Sequence, residues 1–125
     1  MGRAASGQRP VVLVVEDEGL IRMNAIDMVQ EAGFDAIAAS DADDAIRILE
    51  SRSDIRAVFT DVHMPGSMDG IRLASVVRNR WPPVALIVTS GQTNVLESDL
   101  PTGGRFLRKP YAATQIETAL RELIC

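Results

Sequence analysis

Four apolar runs in this chain each end on a reactive polar residue, and segments of helical periodicity separate them. Residues 11–15 (VVLVV) lead to Glu16 and Asp17, residues 57–60 (AVFT) to Asp61, residues 85–89 (ALIVT) to Ser90, and the shorter RFLR of 105–108 to Lys109. Short continuous runs of this kind mark strands buried on both faces of a parallel sheet. A fifth strand is expected at 34–38. Leu20, Ile21, Ala25, Met28, Val29 and Ala32 recur at helical spacing, and Gly33 provides a helix stop. Asp41 predicts the cap of a second helix reaching about Arg52, with Ala45, Ile46 and Leu49 inward.

A third helix is expected from Gly70 to Arg80, where Ile71, Leu73, Ala74, Val76 and Val77 supply the apolar positions and Trp81, Pro82 and Pro83 end it. Thr114 with Glu117 reads as a capping box that opens the last helix. Strands alternating with about five helices predict right-handed crossovers and a three-layer α/β sandwich. The weak segment is 91–104: Val95, Leu96 and Leu100 are its only large apolar residues, and Pro101, Gly103 and Gly104 cut it short. The fourth helix is therefore expected to be short or irregular.

A chain of 125 residues fits one domain with an ordinary core and leaves no room for a second, output domain. Residues 1–10 are small, polar and basic and read as a flexible tail. The net charge of −4 is the wrong sign for direct nucleic-acid binding, and no run is long enough to span a membrane. The opening residues also lack the apolar stretch of a secretory signal, so a cytoplasmic location is expected. Met1 and the short tail lead us to expect a complete small protein. Cys125, the only cysteine, offers no disulfide framework. Twelve of the thirteen basic residues are arginine, and the only lysine is Lys109, at the end of the last apolar run.

If the runs are parallel strands, their terminal residues emerge together at the carboxyl edge of one sheet, where open α/β sheets place their sites. Adjacent acids after a buried strand are costly unless they face solvent or a cation, and an oxygen-rich carboxylate set suits Mg²⁺. Asp61 would lie beside Asp17, so one divalent ion could touch both while the Asp61 carboxylate attacks phosphorus. Lys109 would neutralise one phosphoryl oxygen and the Ser90 hydroxyl would hydrogen-bond another. The Lys109–Pro110 bond is expected to be cis, which would fix the lysine at the strand end.

Taken in order, the acid pair Glu16-Asp17, the D-x-x-M-P of 61–65, the M-D-G of 68–70, the S-G of 90–91 and the K-P of 109–110 resemble a receiver domain of the two-component response regulators. The stand-alone type is expected, with the domain covering 11–125. The resemblance implies a flavodoxin-like fold with strand order 2-1-3-4-5. It also implies Asp61 as phosphoacceptor, Asp17 as a direct Mg²⁺ ligand, Glu16 as a ligand acting through water, and the backbone carbonyl of His63 as a further ligand. Lys109 matches the phosphate-binding lysine, Ser90 the switch hydroxyl and Phe106 the aromatic switch position. The partners implied are a histidine kinase or a histidine phosphotransfer protein and a downstream protein target, with a homodimer possible through the face of the fourth helix, fifth strand and fifth helix. Such a domain is no enzyme beyond catalysing its own phosphorylation and dephosphorylation.

The chain departs from the family pattern by one additional residue between Asp61 and Gly70, falling in 66–68. His63 is the only histidine; its ring is expected to be exposed, and with Gln92 it could set how fast water reaches an acyl phosphate. Two other readings compete. A Mg²⁺-dependent phosphatase with an aspartate nucleophile, of the haloacid dehalogenase kind, needs a second aspartate where this chain has His63. A pseudo-receiver would fold alike and serve only as a docking module, but the acid pair, acceptor and lysine are all present.

Overall fold

The structure is a computed structural model, and it describes residues 9–92 and 95–125. Most of the expected N-terminal tail, residues 1–8, lies outside the described residues. The elements run β1 (Val11–Val15), α1 (Gly19–Glu31), β2 (Asp35–Ala39), α2 (Ala42–Ser51), β3 (Ile55–Asp61), α3 (Gly70–Arg80), β4 (Ala85–Ser90), a single 3₁₀ turn (Glu97–Asp99), β5 (Arg105–Arg108) and α4 (Ala113–Ile124). All five strands are parallel, in the order β2-β1-β3-β4-β5. This is the expected 2-1-3-4-5 sandwich, with four α-helices among the described residues instead of five.

Each strand sends alternate side chains to opposite faces, and both faces are covered. Leu13, Val15, Val58, Leu86 and Val88 pack with Ala45 and Leu49 of α2 and Leu73, Ala74 and Val77 of α3. Val12, Val14, Ala57, Phe59, Ile87 and Leu107 pack with Ala25 and Val29 of α1 and Ile116, Ala119 and Leu120 of α4. With no polar face to present, the central strands are mostly apolar, apart from the exposed Arg56 and the buried Thr60 and Thr89. Their first obligatory polar residues come where the sheet ends.

Local chemistry sets the helix ends. The Asp41 carboxylate accepts the Asp44 N–H at 2.8 Å, as expected for an N-cap, and Asp69 accepts the Arg72 N–H at 2.9 Å to open α3; each cap contributes about 1 kcal/mol. Gly33 follows α1 at φ 102°, a conformation open to glycine. The last helix begins earlier than the Thr114–Glu117 signature predicts. Ala112 is its first flanking residue, and the Ala112 N–H donates to Gln115 Oε1 at 2.7 Å. Gln115 therefore does what Glu117 was expected to do, because Pro110 already breaks the strand and lets the helix start sooner.

Among the described residues, the β4–β5 connection has one 3₁₀ turn and no α-helix, in keeping with the sparse apolar content of 91–104. Gly66, in the β3–α3 loop, has φ 105° and open space around it. Met64 and Met68 on either side pack back onto the core.

Candidate functional site

Strand register brings the polar residues together. Val15 pairs with Thr60, Asp61 with Thr89, and Ser90 with Arg108, so Glu16, Asp61, Ser90 and Lys109 all leave the sheet at its carboxyl edge. Backbone bonds continue the ladder past the strands: Glu16 N–H to the Ala39 carbonyl at 3.1 Å, Val62 N–H to Thr89 at 2.9 Å, and Lys109 N–H to Ser90 at 2.9 Å. The site is thus carried on hydrogen-bonded backbone, which fixes where each side chain starts.

Carboxylate oxygens of Glu16, Asp17 and Asp61 lie within 4.8 Å of one another. Glu16 and Asp61 are only 5% and 9% exposed, whereas Asp17 is open to solvent. Lys109 Nζ lies 3.3 Å from Asp61 Oδ2 and 3.5 Å from Glu16 Oε1. One ammonium therefore faces two carboxylates, with a third acid alongside, and the cluster carries surplus negative charge. Hard oxygen donors on one open side with water access are the donor set that Mg²⁺ takes. These three residues fit that ion.

Electrostatics agree with crowding. Burial pushes the Glu16 carboxyl above its usual range; the Glu18 N–H at 3.2 Å and Lys109 pull it down, and Asp61 pushes it up. Tyr111, set edge-on to Phe59 with centroids 5.7 Å apart, is pushed up to about 12 by burial and then by Glu16 and Asp61. A cation added to the cluster would offset both repulsions.

Two features of the scaffold were not expected from the sequence. Gly70 opens α3 against the peptide of Asp61: a Cβ there would overlap the Asp61 carbonyl oxygen and stand 2.8 Å from its carbon and 2.9 Å from Val62 Cα. Only glycine lets α3 start this close, and the Gly70 N–H donates to the Val62 carbonyl at 2.8 Å. The M-D-G motif carried that signal, although not its geometric reason. Arg22 of α1 donates to the Glu16 carbonyl at 2.8 Å and the Asp17 carbonyl at 3.4 Å, bracing the acid loop from below. Side chain to backbone bonds of this kind leave no periodic trace.

Ser90 is completely buried, and its Oγ accepts the Gln92 N–H at 2.9 Å. The His63 ring is exposed, as expected. Phe106 is half-buried against the α2–α3 face of the core, and the Arg108 guanidinium lies 5.2 Å from its ring centre. The Lys109–Pro110 bond is cis, as expected, and Lys109 points into the acid cluster.

Comparison with known proteins agrees with this arrangement. Residues 12–121 match the response regulator receiver domain. The chain is 32% identical over 117 residues to the sensor kinase CckA of Brucella abortus, spanning 90% of this chain and 12% of that protein. It is also 32% identical over 113 residues to the transcriptional regulatory protein PdtaR of Mycobacterium tuberculosis, spanning 87% of this chain and 54% of that protein. The chain thus corresponds to about half or less of these relatives' lengths. Among solved structures, a response regulator receiver protein from Sinorhizobium medicae superposes with TM-score 0.86 at 26% identity, covering 96% of this chain and 97% of that one. No helix among the described residues is long and apolar enough to cross a membrane. With the family's strand order, an acid cluster and a lysine at the same sheet edge, and the family match across nearly the whole chain, this chain belongs to the response regulator receiver domains.

Proposed function

We propose that this chain is a phosphoacceptor in a two-component phosphorelay, taking a phosphoryl group onto Asp61 from a histidine kinase or a histidine phosphotransfer protein. The observation that carries the reading is the chain's single lysine, held 3.3 Å from the Asp61 carboxylate in a cluster with two further acids. An ammonium at that distance answers the charge that grows on the phosphoryl oxygens as the Asp61 oxygen bonds to phosphorus and the phosphorus–nitrogen bond of phosphohistidine breaks. The released imidazole keeps the nitrogen electron pair and takes a proton.

Glu16, Asp17 and Asp61 would hold Mg²⁺, with the His63 carbonyl as a further ligand. The ion would neutralise phosphoryl oxygens and relieve the crowding among the three acids. Ser90 would donate its hydroxyl to a phosphoryl oxygen and carry the change into the β4–β5 segment, where Phe106 packs. The protein performs no other chemistry than its own phosphorylation and dephosphorylation. Its output is protein binding in the cytoplasm. The dimer face proposed from the sequence becomes the 3₁₀ turn, β5 and α4. Leu20 and Met23, 77% and 62% exposed at the start of α1 beside the acid loop, supply apolar surface where a phosphoryl donor must approach.

The test is incubation with acetyl phosphate, or beryllofluoride, and Mg²⁺. The expected result is a mass gain of one phosphoryl group and a spectral change in wild type, both lost in Asp61→Asn. An unchanged wild type supports the pseudo-receiver, and an equal response in Asp61→Asn places the acceptor elsewhere. Steady release of phosphate from added phosphomonoesters supports the phosphatase.

A further inference from the structure

Among its described residues the β4–β5 segment forms no α-helix to satisfy its own carbonyls, and one side chain takes over that work. In an α-helix the Gln92 carbonyl would accept from the Leu96 N–H, and the Val95 carbonyl from the Asp99 N–H. Here the Leu96 N–H donates instead to Asp99 Oδ2 at 2.9 Å, and the Asp99 N–H to the Leu96 carbonyl at 2.9 Å. Arg108 donates to both carbonyls left over, Gln92 at 2.7 Å and Val95 at 3.4 Å. The same guanidinium stacks beside Phe106, two residues back on the same face of β5.

Gln92 is consequently held at both ends, its N–H on Ser90 Oγ and its carbonyl on Arg108. Ser90 is fully buried. Bringing its hydroxyl to an oxygen bound on Asp61 draws Gln92 along and pulls the Gln92 carbonyl away from Arg108. We propose that Arg108 is a positioning residue that latches the β4–β5 segment in its unphosphorylated place through the Gln92 and Val95 carbonyls, and so sets how strongly a phosphoryl group must bind to move it. The inference rests on the reading of Asp61 as phosphoacceptor. A flat five-donor fork spans two carbonyls and lies against a ring; a lysine in its place can serve only one carbonyl.

Two measurements separate the latch from that reading. Without any phosphoryl mimic, Arg108→Ala should speed hydrogen exchange of the Gln92 and Leu96 amides about tenfold while leaving the β1 and β3 amides unchanged. Unchanged exchange at Gln92 overturns the latch whatever Asp61 does. With Mg²⁺ present, beryllofluoride should titrate Arg108→Ala at about three- to tenfold lower concentration than wild type, with Arg108→Lys between them. The direction is decisive, because losing a cation near the site would by simple charge weaken binding of an anion. A weaker or equal midpoint in Arg108→Ala overturns the latch. Failure of wild type to respond at all counts against the phosphoacceptor reading and leaves the exchange result to decide the latch.

Discussion

Gly70 opens the third helix with its backbone against the carbonyl group of Asp61, so the residue that starts α3 also fixes the peptide carrying the proposed acceptor. A side chain at Gly70 cannot be accommodated by rotating a neighbour, since the three atoms nearest its Cβ would all be main chain. Gly70→Ala is expected to destabilise the fold by about 2–3 kcal/mol, the cost of overpacking against rigid backbone. The urea midpoint reads this directly. In whatever fraction stays folded, phosphorylation by acetyl phosphate should slow as well, because α3 can retreat only by moving the Asp61 peptide. A Gly70→Ala protein with wild-type stability and rate would show that the close approach is dispensable.

Burial of Glu16 sets a pH dependence with a definite sign. Its carboxyl titrates above the ordinary range in the folded protein, so between the unfolded and folded values the native state binds more protons than the unfolded one. Stability from this group is therefore lost as pH rises through that window, upward from about 4.5. Glu16→Gln should be more stable than wild type at pH 7 without divalent ions, and the gap should close on acidification. Millimolar Mg²⁺ should raise the melting temperature of wild type and raise that of Glu16→Gln less. A gap that stays constant with pH would remove the burial argument.

Tyr111 is the only tyrosine, which makes its ionisation directly visible by ultraviolet absorbance. The phenol should titrate near 12 in the folded protein. Because the unfolded chain releases that proton near pH 10, stability should fall between about pH 10 and 12 by up to one proton's worth of slope. Tyr111→Phe should flatten that segment of the stability curve. A midpoint near 10 in the folded protein would mean the ring is wetter than its packing on Phe59 implies.

His63 lies two residues past Asp61 and Gln92 two past Ser90, and both are exposed. Changing each to alanine is expected to alter the dephosphorylation rate by several-fold, with little effect on stability, through access of water to the acyl phosphate. Decay of phosphorylated protein after removal of the phosphodonor measures it. Unchanged decay in both variants would assign His63 a backbone role alone.

The strand ends were legible because strands buried on both faces leave no ambiguity: VVLVV can only stop at Glu16, and ALIVT at Ser90. The acid cluster followed from those ends and from the parallel register. Arg22 and Arg108 were not legible, since their partners are backbone carbonyl groups, which every residue carries and any arginine can reach. Arg108 shows the difficulty most clearly: nothing in the sequence says that the carbonyls within its reach are those of Gln92 and Val95. The start of α4 was misread for a related reason. Thr114 and Glu117 have the right spacing for a cap, but the chain leaves Pro110 already turned, and Gln115 reaches the Ala112 N–H first.

The single turn between β4 and β5 has one more consequence, for the outer edge of the sheet. Among the described residues β5 is a border strand with no partner beyond it, and the Phe106 N–H is met by Glu97 Oε2 of that turn at 3.4 Å. A foreign strand aligning along β5 would find a carboxylate already on one of its docking points, and the chain breaks at Pro110 two residues after β5 ends. By placing Glu97 there the segment guards the border against sheet-to-sheet aggregation.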